Sequence, residues 1–241
     1  MIAGFIIQGN ASKPVVARGL GPSLTAFQIT DFLHDPVLEL RGPNGPILTN
    51  DNWVDSPQRS QFEGTIYQPS DNREAVVLAT LPPEQYFALL TGSGQTTGVG
   101  LVEVYDNDPD AAAALANIST RGFVDGNESV MIGGFILGGN PNNTRIAIRG
   151  LGPFLRQFAL DPVLEDPTLE LRDANGALLI ENDNWTDDTV SAAQLAAHGL
   201  ALSDMKESGI FTSLPPGQFT AILAGKDGGI GIGLVEIYNL K

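Results

Sequence analysis

Gly98-Val99-Gly100-Leu101-Val102-Glu103-Val104-Tyr105 is repeated almost letter for letter as Gly231-Ile232-Gly233-Leu234-Val235-Glu236-Ile237-Tyr238. Working outward, Asn50-Asp51-Asn52-Trp53 returns at Asn182 to Trp185, and Arg18-Gly19-Leu20-Gly21-Pro22 at Arg149 to Pro153. Met1-Ile2-Ala3-Gly4-Phe5-Ile6 returns as Met131-Ile132-Gly133-Gly134-Phe135-Ile136. The offset rises from 130 at Met1/Met131 to 133 at Tyr105/Tyr238, so only short loop insertions separate the copies. A period of this length fixes the domain count at two and marks the shared residues as scaffold.

Each copy reads as short strands punctuated by turns. Val37-Leu38-Glu39-Leu40-Arg41 and Thr168-Leu169-Glu170-Leu171-Arg172 alternate apolar and polar with period two, the pattern of a half-buried strand. Asn44-Gly45 and Asn175-Gly176 follow, and Asn-Gly between apolar runs predicts hairpins with positive φ at both turn residues. Gly9-Asn10 and Gly139-Asn140 are further turn signals, while Pro22 and Pro153 are placed to open short helices such as 23–27. A polar stretch around 190–197 has room for another short helix. Seven to nine strands per copy point to an all-β chain of two tandem antiparallel β-sandwich domains. The expected bounds are 1–107 for the first sandwich, 108–116 for a short helical linker through the run of alanines, and 117–241 for the second.

The second copy is preceded by a lead-in, Asn117-Ile118-Ser119-Thr120-Arg121-Gly122-Phe123-Val124, that reads as one more strand. The first copy has none, and the expectation is that Met1 opens a processed or trimmed piece of something longer. A strand of this kind can complete its own sandwich or pair with a neighbour's open edge, which is how strand addition builds filaments. Asn117, Ile118, Ser119, Thr120, Arg121, Phe123 and Val124 are therefore candidate assembly residues, and a head-to-tail contact of that type does not close on itself.

Together, the lead-in, Asn-Asp-Asn-Trp, Leu-Pro-Pro and Gly-Leu-Val-Glu-Val-Tyr resemble a tandem β-sandwich repeat of large secreted or surface proteins of environmental bacteria. More distantly, 166–238 resembles the bacterial pre-peptidase C-terminal domain, a jelly-roll-like sandwich attached to secreted enzymes. The resemblance implies an extracellular, non-catalytic module at the cell surface, used for spacing, adhesion or assembly.

Composition excludes several alternatives. Cysteine is absent, so there is no disulfide, zinc–thiolate site or thiol nucleophile. With 28 acidic against 13 basic residues the net charge is −15, which repels phosphate backbones and argues against a nucleic-acid partner. No apolar run is long enough for a membrane span. His34 and His198 fall at non-equivalent positions, and neither a Gly-x-Ser-x-Gly elbow nor a Rossmann glycine pattern is present. Carboxylates such as Asp161, Glu165 and Asp166 read as solvated loop charge in so acidic a chain.

Two candidate sites remain. Asn50, Asp51 and Asp55, with Asn182, Asp183 and Asp187, offer clustered oxygens of the kind calcium takes, which would make the chain a stiffened accessory domain binding polysaccharide or protein. The alternative is that these side chains cap turns while Trp53 and Trp185 plug the sandwich edges. Arg18 and Arg149 read either as anion clamps or as structural ion pairs to Glu39 and Glu170 or to Glu103 and Glu236, the latter being the commoner role.

Overall fold

The computed structural model describes residues 1–126, 130–138 and 142–240. It divides into two compact units, Met1–Leu115 and Ala116–Lys241. The Gly139-Asn140 turn lies outside the described residues.

In the first unit, β1 (Ile2–Gly9), β6 (Gln85–Gly92), β3 (Pro36–Gly42) and β4 (Gly45–Asn50) form one antiparallel sheet, in that order. The facing sheet is β5 (Ala75–Leu81), β2 (Lys13–Leu20) and β7 (Leu101–Asp106). Period-two alternation aims Phe5, Ile7, Val15, Ala17, Leu38, Leu40, Val77 and Leu90 into the layer between them. Lys13 is fully buried at the start of β2. Its ammonium donates to both carboxylate oxygens of Asp106 and to the Asp108 carbonyl, each at 2.7 Å, so the charge is paired on every side that leaves water.

The second unit repeats the plan. β12 (Leu178–Asn182), β11 (Pro167–Asp173), β14 (Gly217–Gly225) and β9 (Met131–Leu137) make one sheet. β13 (Ser208–Leu214), β10 (Thr144–Leu151), β15 (Ile230–Leu240) and β8 (Ala113–Asp125) make the other. With β8 as its first strand, the unit is an eight-stranded jelly roll, its two sheets ordered 6-3-8-1 and 5-4-7-2. The first unit has the same orders with strand 1 missing: nothing among the described residues pairs with the outer edge of β7.

The loop from β4 to β5, and the equivalent one from β12 to β13, folds over the outer face of the sheet that holds β2 and β5, or β10 and β13. In the first unit it includes α1 (Arg59–Phe62) and packs Trp53 and Phe62 on Val16 and Val76. In the second, α2 (Thr189–Ala197) starts at Asp188, whose carboxylate accepts from the Val190 and Ser191 amides, and sets Leu195 against Ala147.

Two expectations are corrected. The alanines after Asp110 are not a helical linker. Residues 108–112 form a turn, and from Ala113 the chain is already β8, with Ala113 and Leu115 against the first unit's core. Four alanines favour a helix only where no apolar surface competes, and burial in a sheet outweighs that preference. The Asn-Gly turns also differ from expectation, because only the glycines, Gly45 and Gly176, have positive φ. Register shifts after Leu40 and Leu171 absorb the extra residue as bulges, so Asn44 and Asn175 keep ordinary backbone angles.

Candidate functional site: an uncovered sheet edge and two carboxylate pairs

The lead-in residues lie where the sequence puts a strand. Asn117 to Asp125 run antiparallel to β15, with Ile118 opposite Ile237, Thr120 opposite Val235, Gly122 opposite Gly233 and Val124 opposite Gly231. Val124 is fully buried and Ile118 packs against the same core. On the other face the Asn117 amide donates to the Ile237 carbonyl at 3.1 Å, while Phe123 stays 54 % exposed. Ser119 and Arg121, half-buried, share that outward face by alternation.

The cover has a measurable effect on burial. Val235 and Ile237 are 1 % and 4 % exposed, whereas their equivalents beside the bare edge, Val102 and Val104, are only partly buried, and Leu101 is 38 % exposed. The edge is otherwise prepared alike. Gly98 and Gly231 both have positive φ, at +159° and +149°, and a Cβ on either would meet the neighbouring backbone within 2.6 Å. A second bare edge belongs to β9, the last strand of its sheet, with Ile132 and Ile136 exposed on its outer face.

The Asn-Asp-Asn-Trp residues divide their work. The Asn50 side chain accepts from the Val76 amide at 2.9 Å and donates to the Asn52 carbonyl at 3.1 Å, and Asn182 repeats this with Gly209 and Asn184 at 2.7 and 3.0 Å. Asn50 thus ties β4 to β5, and Asn182 ties β12 to β13. Trp53 is buried and donates to the Asp71 carbonyl, while the Trp185 indole NH is buried without a partner among the described residues. Asp187 accepts from Asn184, and Asp55 is exposed. No group of three or more acidic or histidine side chains converges on a metal-sized space among the described residues.

The aspartates form pairs. In the second unit the Lys226 ammonium binds Asp183 at 2.5 Å, its amide donates to the Asp166 carbonyl, and Lys206 also faces Asp166 at 3.6 Å. In the first unit Ser93 occupies the place of Lys226, its amide donating to the Asp35 carbonyl at the same 2.8 Å. No ammonium stands there. Asp51 titrates above the ordinary aspartate range, pushed up by partial burial and then by the charges of Asp35 and Asp55, and one Asp35 carboxylate oxygen is buried without a partner among the described residues. Ser93→Lys is therefore expected to stabilise the first unit by up to about 1 kcal/mol, the upper end of what such exposed pairs contribute. Urea denaturation of the variant against the parent checks it.

Arg18 and Arg149 are each held in an ion pair. Arg18 Nε donates to Glu103 at 2.6 Å and Arg149 Nε to Glu236 at 2.8 Å, and each guanidinium lies over the tyrosine two residues further on. Burial drives the Tyr238 phenol up to about 12, so it stays protonated as a donor and packing group. Tyr67 and Tyr105 pack on each other at 5.3 Å, and Tyr86 is buried and stacked on Phe5. Glu165 is bound by Arg156.

Sequence reading missed Glu74 and Glu207, both fully buried. Glu74 Oε1 accepts from the Gly21 amide, the Ser23 amide and the Ser23 hydroxyl at 3.1, 2.8 and 2.6 Å. Glu207 accepts from Gly152 and Phe154 at 3.3 and 2.9 Å. The signal was present: these glutamates sit one residue before equivalent strands, β5 and β13, in a loop that otherwise shares little between the copies.

No family model matches the chain, and no curated protein matches it in sequence. Among solved structures, the atomic structure of Sulfolobus Turreted Icosahedral Virus is similar over 99 % of this chain and 88 % of that one, at 11 % identity and a TM-score of 0.30. The STIV MCP follows at 10 % identity, 98 % and 90 % coverage and a TM-score of 0.29. A protein inferred to be secreted, from Eubacterium rectale, matches at 10 % identity, 97 % and 68 % coverage and a TM-score of 0.24. Similarity at this level carries no argument about function. No helix among the described residues is long and apolar enough to cross a membrane.

Proposed function

We propose that this chain is a non-catalytic structural module of extracellular architecture that associates head to tail, partly by strand addition. One observation carries the reading: the second jelly roll is completed by β8, and the equivalent edge of the first, β7, has no strand on it among the described residues. β8 itself begins against the first unit's core and ends in the second unit's sheet. The β9 edge lacks the upstream half of such a strand and the β7 edge lacks the downstream half. A single strand bordering both, as β8 borders β1 and β15, would cover the two, and a contact built that way repeats without closing. Negative-stain electron microscopy of the purified chain tests this. Ordered fibres are expected. Discrete particles at every concentration would overturn head-to-tail assembly.

A second reading, a calcium-stiffened accessory domain, is favoured by the Asp35–Asp51 pair, where the second unit carries an ammonium and the first does not. Carboxylates with a free oxygen suit a hard cation. On this reading calcium raises the melting temperature of the parent relative to chelator, by about 2.7 kcal/mol of stabilisation at roughly a hundred times Kd. Asp51→Asn and Ser93→Lys should each remove the response. Identical melting curves with calcium and chelator would sink it.

A further inference from the structure

We infer that the outer edge of β7 is a binding site for an extended peptide strand, and that its ligand is the lead-in of another repeat of this same kind, docked antiparallel in the register that β8 takes on β15. The inference rests on the strand-addition reading and adds to it the ligand and the register.

The template is within the molecule. Transferring the β8–β15 pairing onto the first unit sets Val124 of the incoming strand opposite Gly98, Gly122 opposite Gly100, Thr120 opposite Val102 and Ile118 opposite Val104. Two features select this register over a slip by one. Ile118 and Val124 lie on one face and enter the core, so a one-residue slip would send Ser119 and Phe123 there instead. Gly98, like Gly231 opposite Val124, holds positive φ with its Cβ position filled by neighbouring backbone, so the edge has the same shape at that position. Main-chain hydrogen bonds supply affinity at such an edge, and the inward side chains supply specificity. The partial exposure of Val102 and Val104, set against the burial of Val235 and Ile237, is the apolar surface the strand would cover. The β9 edge has an occupied twin too, since β8 borders β1, and the β7 edge is preferred because its twin shows the pairing residue by residue.

The probe is a synthetic peptide of residues 116–126, fluorescently labelled and titrated against the full chain. Saturable binding is expected, and a Val124→Asp peptide should bind at least about tenfold more weakly, since a charge would replace a buried methyl pair. Register is read by disulfide trapping, which is clean because the chain has no cysteine. A Thr120→Cys peptide should cross-link to Val102→Cys and not to Leu101→Cys, whose side chain points to the other face. Absence of saturable binding would overturn the inference, as would equal trapping at 101 and 102, or binding that survives Val124→Asp. Fibres that form although the peptide neither binds nor competes would leave strand-built assembly standing and remove only this ligand. Discrete particles that nevertheless bind the peptide in register would do the reverse.

Discussion

Gly152→Ala is expected to unfold the second unit, and Gly21→Ala the first. Neither glycine is there for a left-handed backbone: φ is −143° at Gly152 and −149° at Gly21. The constraint is contact. A Cβ on Gly152 would lie 1.8 Å from the Leu164 carbonyl oxygen, and one on Gly21 would lie 1.9 Å from that of Leu33. Those carbonyls cannot retreat cheaply. The Leu164 amide is bound to the Ile232 carbonyl and that of Leu33 to the Val99 carbonyl, which pins each segment beside the last strand of its sandwich. The glycine amides are held from the other side by Glu207 and Glu74. Relief would break one set of bonds or the other, so the loss should exceed about 4 kcal/mol, beyond the ordinary range for a point substitution. Each unit holds one tryptophan, so urea unfolding of Gly152→Ala in a Trp53→Phe background reads the second unit through Trp185 alone. Gly134→Ala is the control, since nothing lies within 4 Å of its added Cβ. An unchanged midpoint for Gly152→Ala would refute the steric argument.

The arginine ahead of this turn shows what the sequence made legible and what it did not. Pairing of Arg18 and Arg149 with glutamates was readable from the repeat, because charge signs and equivalent positions narrow the partners to two pairs, and Glu103 and Glu236 are the ones engaged. The strands follow from periodicity and turn chemistry, which act over a few residues, whereas their order in the sheets depends on long-range pairing. The edge of β7 was legible as an asymmetry in the text before any pairing was known. Glu74 and Glu207 were not, because a glutamate in a polar loop reads as solvated until the turn it caps, more than fifty residues away, is folded over it. The lysine between Asp183 and Asp166 was hidden for the same reason. Its partners lie forty or more residues away, and its counterpart Ser93 does not announce a missing charge. The linker failed differently: alanine propensity is local, and the surface that overrode it is tertiary.

Those two glutamates make the second large effect. Removing the Glu74 carboxylate with Glu74→Ala leaves the Gly21 and Ser23 amides buried without acceptors, at about 1–3 kcal/mol for each unmade bond, so a loss near 3 kcal/mol or more is expected. Glu207→Ala should cost a similar amount through Gly152 and Phe154. Glu207 adds a pH signature. Burial pushes its carboxyl above the ordinary glutamate range, more than the amide bonds from Phe154 and Gly152 pull it back, and among the described residues its second oxygen is buried without a partner. Because the folded state holds this proton more tightly than the unfolded chain, the folded state binds more protons between the ordinary glutamate value and the raised one. Stability contributed by the group is therefore full below the ordinary value and is lost as pH rises through the raised value. Glu207→Gln keeps an acceptor oxygen for the two amides and removes the titration. The free-energy difference between parent and Glu207→Gln should then shift toward the parent on acidification across that window and level off below it. Paired urea titrations from neutral pH to about pH 4, the ordinary glutamate range, measure it. A difference that is flat with pH, or that moves the other way, would mean the carboxylate is held ionised by its amide donors more strongly than burial opposes it.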